Sequence, residues 1–362
     1  MMESGYMMDV ESRLSEITFF RDRRIFLTGH TGFKGSWLCT LLLKAGAEVT
    51  GFALPPEEIS LFRLAGLEGK MDSIYGDIRN FDVLWNAFNA TKPEIVIHMA
   101  AQPIVRESYR NPVDTYHTNV MGTVHILECI RRSDSVGSIL NVTTDKVYEN
   151  KQWPWGFRET DPLDGFDPYS NSKSCSELVT HSYYHSFLAK RGIAVSTARA
   201  GNVIGGGDFS ADRILPDCVR AVQAGIPIRL RNPNSLRPYQ HVLEPLSAYL
   251  LIMQRQMENP RLAGWYNVGP DAGDCISTQA LAELFCEAWG AGACWECACE
   301  NGAPHEDAAL TLDCSKLRSA LGWRPRWDIR QAVEKTVQWT QNWLSGGDIS
   351  ACMEQQIDTY FR

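Results

Sequence analysis

Tyr169 and Lys173 stand four positions apart in a stretch of helical period, so their side chains share one helix face. A free tyrosine ionises near pH ~10, and an ammonium beside it favours the phenolate, which gives a usable base near neutral pH. The spacing alone is common on solvated helices. Its position adds meaning, because an apolar run ending Val142-Thr143-Thr144 precedes it and supplies a hydroxyl that could orient a substrate hydroxyl. A second constellation lies upstream, where Ile25-Phe26-Leu27-Thr28 runs directly into Gly29-His30-Thr31-Gly32-Phe33-Lys34-Gly35 and on into Trp37, Leu38, Leu41, Leu42 and Leu43. The first glycine permits a sharp turn, the second lets a diphosphate approach the backbone, and the third lets helix and strand pack closely. The open helix N-terminus offers N–H groups and a positive dipole end to phosphates. Strand, turn and helix in this order predict a dinucleotide site, with the spacing G-x-x-G-x-x-G rather than G-x-G-x-x-G.

These residues need a frame. Short apolar runs at 25–28, 48–54, 71–75, 95–99 and 138–142, with a sixth at 194–198, alternate with amphipathic stretches at 35–45, 81–91, 116–131 and 170–190. That alternation predicts an α/β fold, a doubly wound parallel sheet of Rossmann type. After Asn202 the character changes to Gly205-Gly206-Gly207 and scattered Pro and Arg, where a second, smaller α/β substrate lobe is expected to begin. The predicted division is 20–201 for the dinucleotide domain and 202–345 mainly for the lobe, with some segments returning to the main sheet. Residues 1–19 and 346–362 are read as terminal extensions. The second run ends at Leu54-Pro55 without the acidic residue that usually grips the adenosine ribose, and no arginine replaces it, so NAD and NADP both stay open. Asp77, in Gly76-Asp77-Ile78, could reach an adenine amino group or could cap the next helix.

Composition narrows the classes. With 362 residues, 44% hydrophobic and 22% charged, the chain resembles an ordinary globular protein rather than a disordered one. Its formal net charge of -8 argues against nucleic acid or anionic lipid as a partner while leaving room for a local basic pocket. No apolar run approaches the ~18 residues of a membrane span, and charges interrupt the N-terminal segment, so a cytoplasmic location is expected. The eleven cysteines lack framework spacing and read as reduced thiols. Cys294, Cys297 and Cys299 cluster, but only Cys286 and His305 offer further ligands, and no metal is expected. Arg213, Arg229, Arg231 and Arg237 form a density that suits a diphosphate, and alternation would put Arg229 and Arg231 on one strand face.

The glycine spacing with Thr144, Tyr169 and Lys173 resembles the extended, nucleotide-sugar branch of the short-chain dehydrogenase/reductase superfamily. The resemblance implies a Ser/Thr–Tyr–Lys triad at these three residues, bound NAD along Ala100, Ala101 and Asn119, and pairing into a homodimer or dimer of dimers through two helices per subunit. Asp145 and Lys146 follow Thr144 where epimerases of the branch have small or apolar residues. The sugar 4,6-dehydratases are similar but carry Asp-Glu there. The Asp-Lys pair, the 28–37 segment and Arg231-Asn232-Pro233-Asn234-Ser235-Leu236-Arg237-Pro238 are similar to the dehydratases that act on CDP-glucose, over about residues 19–330. Tyr239 and Val147 depart from that pattern, which usually has Trp and Cys there.

Such an enzyme oxidises C4 of the hexose, so that the ketone acidifies the C5 proton. A base removes that proton and an acid protonates the departing C6 hydroxyl. The resemblance makes Asp145 the acid and Lys146 the candidate base. Burial and the Lys173 cation would favour a neutral Lys146 while Asp145 opposes it, and Lys146 could instead polarise the ketone. The resemblance also implies that Arg237 and Asn202 hold the substrate diphosphate, that Arg213 and His305 lie near the nucleotide, and that the product feeds deoxysugars of bacterial surface polysaccharide such as O-antigen lipopolysaccharide. The rivals are an epimerase, a dehydratase for another nucleotide sugar, and a silent dinucleotide-binding regulator, a class that usually loses the Tyr/Lys pair.

Overall fold

A computed structural model describes residues 17–153, 155–290, 292–298 and 310–362. Six strands build most of the main sheet: β1 (Arg24–Thr28), β2 (Glu48–Ala53), β3 (Asp72–Tyr75), β4 (Ile95–His98), β5 (Ser138–Thr144) and β6 (Ala194–Ala200). Beyond them come β7 (Val203–Ile204), β8 (Ile228–Leu230), β9 (Leu236–Pro238), β10 (Gln240–His241), β11 (Trp265–Val268), β12 (Cys275–Ser277) and β13 (Trp295–Cys297). The main sheet runs β11-β6-β5-β4-β1-β2-β3, with every neighbouring pair parallel. The order reverses between β1 and β4, so a crevice opens at the carboxyl ends of those strands, where doubly wound sheets bind ligands. Thr28 and His98 end the two strands at that crevice, and Thr144 ends β5 beside it.

Helices cover both faces because strands buried on two sides leave no edge of the core to water. One face packs Trp37, Leu38, Leu41 and Leu42 of helix Phe33–Lys44 with Leu246, Tyr249, Leu250 and Met253 of helix Leu243–Glu258. The other packs Phe88, Ile126, Leu127 and Ile130 against Phe26, Val96 and Ile139. Helix Phe81–Thr91 has the bounds that its apolar period predicts.

Strand β5 ends at Thr144, the end read from Val142-Thr143-Thr144, two residues past its apolar run, and β6 runs two residues past its last expected position. The added pairs, Thr143 with Arg199 and Thr144 with Ala200, include polar side chains that a search for apolar residues stops short of. The stretch expected as one helix at 116–131 is three elements: helix Pro112–Tyr116, a π turn at His117–Met121 and helix Gly122–Arg132. The wide π turn places Asn119 inside the molecule, where it is buried. The stretch expected at 170–190 starts earlier, as helix Pro168–Tyr183. Pro168 fits its first turn, and the Asp167 carboxylate caps it by accepting from the Ser170 N–H at 3.0 Å.

Past Asn202, three two-stranded pairs, β7 with β10, β9 with β12 and β8 with β13, surround a separate cluster of Leu215, Cys218, Leu230, Tyr239, Leu281, Phe285 and Val333. β11 leaves this lobe and pairs with β6 in the main sheet. The end of the chain is helix Ile349–Phe361, whose Met353, Ile357 and Tyr360 pack into the main core. The Tyr360 hydroxyl donates to Glu244 at 2.7 Å, and the Arg326 and Trp327 N–H groups donate to the same carboxyl group.

Candidate functional site

Gly29 has φ +80, a conformation L side chains rarely adopt, and a Cβ there would meet the Ala100 nitrogen at 2.8 Å. A Cβ on Gly35 would meet the Gly29 carbonyl oxygen at 2.1 Å. At Gly32 the only neighbour is the Gly29 carbonyl at 3.5 Å, so this glycine faces open space. Helix Phe33–Lys44 begins there with no side-chain cap and no acidic residue in its first turn. Its first N–H groups therefore face the same space, which fits a dinucleotide diphosphate. Thr31 donates its hydroxyl to the Leu54 carbonyl at 3.0 Å and holds the turn against the end of β2.

A chain of hydrogen bonds ties this turn to the tyrosine helix. The Thr28 hydroxyl accepts from the Met99 and Ala100 N–H groups at 3.1 Å, which fixes the loop carrying Ala100 and Ala101. The Asn119 side chain accepts from the Gln102 N–H at 2.8 Å and donates to the Gln102 carbonyl and the Ser172 hydroxyl. Asn119 was expected along the cofactor by resemblance, and in this structure its amide is engaged in holding that loop to the helix of Tyr169.

Tyr169 and Lys173 are both buried and face the end of β5. Burial pushes the Tyr169 phenol up to about 12, a rise only partly offset by a hydrogen bond with Thr144 and by the Arg213 cation. Burial likewise lowers Lys173 to about 8, with Glu177 pulling it back, and its ammonium donates to the Val142 carbonyl at 3.2 Å. The Thr144 hydroxyl donates to Asp145 Oδ1 at 2.9 Å and so stands between phenol and carboxyl. Burial also raises the Asp145 carboxyl above the usual carboxylate range, against the pull of Lys146, Thr144 and Arg237. Its second oxygen is buried with no hydrogen-bond partner among the described residues, and it faces Gly201, where a Cβ would lie 3.2 Å away. A buried carboxyl with a raised pKa and a free oxygen has the properties of a general acid. Lys146, next in the chain, is half-buried.

Two of the arginines expected to meet substrate reach this cluster. Arg213 is paired with Asp208 at 2.9 Å and acts on Tyr169, while Arg237 is buried and acts on Asp145. Asn202 lies just past β6 and accepts from the Gln240 N–H through its backbone carbonyl at 2.9 Å. Arg229 and Arg231 do not act as a pair. Arg229 is exposed and bridges to Glu296 at 3.2 Å, whereas Arg231 pairs with Asp212 at 3.2 Å. The carboxylate of Asp77 accepts from the Arg79 N–H at 2.9 Å and from its guanidinium at 2.6 Å. Asp77 is not the helix cap, because Asn80 takes that place by accepting from the Val83 N–H at 3.2 Å. Ile78 is buried, and its carbonyl meets His125 Nδ1 at 2.9 Å. His305 and Cys299 lie outside the described residues. Among the described residues no group of His, Cys, Asp and Glu could hold a metal ion, and no helix is long and apolar enough to cross a membrane.

Two features were not expected from the sequence. The Lys34 side chain is half-buried, with its ammonium 3.1 Å from the Tyr249 hydroxyl and close enough to Lys173 and Arg213 for their charges to act on it. The one signal for it was a tyrosine within the otherwise apolar Ala248–Met253 run. Glu177 and Arg199 form the second feature, a fully buried ion pair at 2.9 Å. Glu177 continues the Tyr169–Lys173 spacing by four more residues, so its place on that face was readable.

Comparison with known proteins agrees with this geometry. The pattern of the GDP-mannose 4,6 dehydratase family matches residues 26–336. The CDP-glucose 4,6-dehydratase of Salmonella typhimurium is 45% identical, over 94% of this chain and 97% of its own length. The chain belongs to the GDP-mannose 4,6 dehydratase family. A dTDP-glucose 4,6-dehydratase of Xanthomonas campestris, at 27% identity over 88% of the chain and 94% of its own length, is a more distant relative. Among solved structures, the dTDP-glucose 4,6-dehydratase of Bacillus anthracis in complex with NAD superposes with a TM-score of 0.75 at 22% identity. It covers 88% of this chain and 96% of that one and shares the fold. The UDP-glucose 4-epimerase of Thermus thermophilus in complex with NAD superposes with a TM-score of 0.76 at 25% identity, covering 87% of this chain and 98% of its own. A dehydratase and an epimerase both superpose on this fold, so the fold alone does not decide the reaction.

Proposed function

We propose that this protein removes water from CDP-D-glucose to give CDP-4-keto-6-deoxy-D-glucose, with NAD held throughout. The observation that carries the reading is the run Thr144, Asp145, Lys146 beside Tyr169 and Lys173. Hydride chemistry needs only the tyrosine and lysine, whereas elimination also needs an acid and a base. The relative at 45% identity, named for CDP-glucose, supports the nucleotide, and the NAD complexes of similar folds support the cofactor.

In this reading the backbone of Gly29, Thr31, Gly32, Phe33, Lys34 and Gly35 takes the NAD diphosphate. Asp77 and Ile78 lie toward the adenine, Ala100, Ala101 and Asn119 line the path, and Tyr169 and Lys173 meet the redox-active end. When bound, NAD supplies an acceptor for the C4 hydride and a donor for C6, so it is unchanged in the net reaction. Tyr169 takes the proton of the C4 hydroxyl, which Thr144 orients. Lys146 takes the C5 proton that the new ketone acidifies. Asp145, whose protonated form burial favours, gives its proton to the C6 hydroxyl as the C6–O bond breaks and water leaves. The proton taken from the C4 hydroxyl can then pass from Tyr169 through the Thr144 hydroxyl to Asp145, which restores both groups. Lys146 returns its proton to C5 as C6 is reduced.

Arg237 and Asn202 are assigned to the substrate diphosphate, and Arg213 and His305 to the nucleotide. A homodimer or dimer of dimers fits the exposed apolar side chains of Val113, Tyr116, Met121 and Leu178, on helices beside and including the tyrosine helix. The test is product analysis with CDP-, dTDP-, UDP- and GDP-hexoses. The 4-keto-6-deoxy sugar should form from CDP-glucose in preference to the others. Failure to form it from CDP-glucose, or inversion at C4 without loss of water, would contradict the proposal.

A further inference from the structure

Lys173 and Glu177 are both buried, one helical turn apart on the face that carries Tyr169. Their side chains meet consecutive residues of β5. The Lys173 ammonium donates to the Val142 carbonyl at 3.2 Å, and Glu177 Oε1 accepts from the Thr143 hydroxyl at 2.5 Å. Glu177 Oε2 is held from β6, where the Thr197 hydroxyl donates to it at 2.8 Å and the Arg199 guanidinium at 2.9 Å. The carboxylate thus spans the two strands, with Lys173 against the first and Arg199 on the second. A buried phenol and amine that share one proton can hold it in two ways, and only phenolate with ammonium can take a proton from a substrate hydroxyl. Burial works against that arrangement, since it raises Tyr169 to about 12 and lowers Lys173 to about 8.

We propose that Glu177 is a positioning residue for this shared proton: its carboxylate, fixed by Thr143, Thr197 and Arg199, keeps the proton on Lys173 and so leaves Tyr169 as the base. The inference rests on the reading of Tyr169 as the base for C4 oxidation. Glu177 is the charge that pulls Lys173 back toward its ordinary value. The other titratable groups set against the pair do not replace it. His98, on β4, is lowered to about 3 by burial and by the Lys173 cation, and is neutral at working pH. Burial lowers Lys34, on the helix after the glycine turn, to about 7, and below that value its charge opposes the Lys173 cation. The Tyr249 phenol, on helix Leu243–Glu258, is raised by burial and stays neutral. Burial favours the neutral carboxyl of Asp145, while Arg213 and Asp167 act on Tyr169 with opposite signs.

The experiment mixes the NAD-loaded full chain with saturating CDP-glucose and follows the first rise of reduced-cofactor absorbance between about pH 6 and about pH 9.5. Glu177→Gln alone would leave the Arg199 guanidinium buried without its anion, so the charge is removed as Glu177→Gln together with Arg199→Met. For the wild type, the rate should rise with pH and level off at about 8, because beyond that point the proton lost is the one Lys173 needs. The double variant should level off ~1 pH unit lower, at a plateau ~10-fold lower, with the rate at about pH 6 nearly unchanged. Glu177→Asp, which keeps an anion for Arg199, should restore the wild-type profile. A double variant whose rate falls by the same factor at every pH would overturn the proposal and leave Glu177 a packing role. A Glu177→Asp profile displaced as far as the double variant's would also overturn it. If the wild type itself reduces no NAD at any pH, the reading of Tyr169 as the base fails first.

Discussion

Along one face of helix Pro168–Tyr183, Tyr169 and Lys173 are buried with few partners, whereas Glu177, the next residue on that face, is buried with many. The Glu177 carboxylate accepts from Thr143, Thr197 and Arg199, and Arg199 donates in turn to Tyr148, whose hydroxyl donates to Asn267. Burial alone would push Glu177 upward, yet the Arg199 guanidinium and the hydrogen bonds from Arg199, His181 and Thr143 together outweigh it and hold the carboxylate at about 2. At the catalytic end, burial prevails instead. Tyr169 and Asp145 are raised, Lys173 and Lys34 are lowered, and one Asp145 oxygen has no partner among the described residues. The difference separates structure from chemistry. A satisfied buried charge fixes geometry, while a buried group short of partners is poised to exchange a proton.

The largest expected break of this contrast is on the satisfied side. Arg199→Met leaves the Glu177 carboxylate buried without its cation and should cost ~3–5 kcal/mol in urea unfolding. Combining it with Glu177→Leu should recover most of that loss, since removing both charges avoids the unpaired one. Asp145→Asn should change unfolding free energy by less than ~1 kcal/mol, because burial already favours the neutral form of that carboxyl and the amide oxygen can still accept from Thr144. A loss from Asp145→Asn as large as that from Arg199→Met would erase the distinction between the two regions.

A smaller effect per group lies in the pH dependence of stability. Burial lowers His30 to about 4 and His98 and His241 to about 3, so the unfolded chain binds three protons that the folded one refuses. Their contribution is present above their unfolded value near ~6.5 and is lost as pH falls toward the folded values. Burial raises Glu244 to about 7, so its contribution has the opposite sign, present below its unfolded value and lost as pH rises through about 7. Between about pH 4.5 and 6.5 these four groups together should give a net uptake of about two protons on unfolding. Stability measured by denaturant titration should therefore rise with pH across that window, and a flat or falling curve would contradict the burial of these imidazoles.

Much of the frame was legible because apolar periodicity and glycine spacing are local properties. The alternation of strands and helices, the turn at Gly29 and the shared face of Tyr169 and Lys173 follow from them. The end of β6 was not legible, because Arg199 becomes acceptable in a strand interior only when Glu177 arrives from another helix. Asn119 was equally hidden, since its direction depends on a π turn that leaves no periodic mark. The side chain of Lys34 could not be followed from a motif whose meaning resides in the backbone. The chain end, which reads as an extension, packs inward because Tyr360 and the Arg326–Trp327 backbone converge on Glu244 from distant segments.

The central claim is that the poised end of β5 performs an elimination and that Asp145 is its acid. Single-turnover mixing of NAD-loaded Asp145→Asn with CDP-glucose tests it most directly, by following reduced-cofactor absorbance and 4-keto-6-deoxy product together. The account predicts that absorbance rises at the wild-type rate and persists, while product forms ~10²–10⁴ times more slowly. Product formation at the wild-type rate would contradict it.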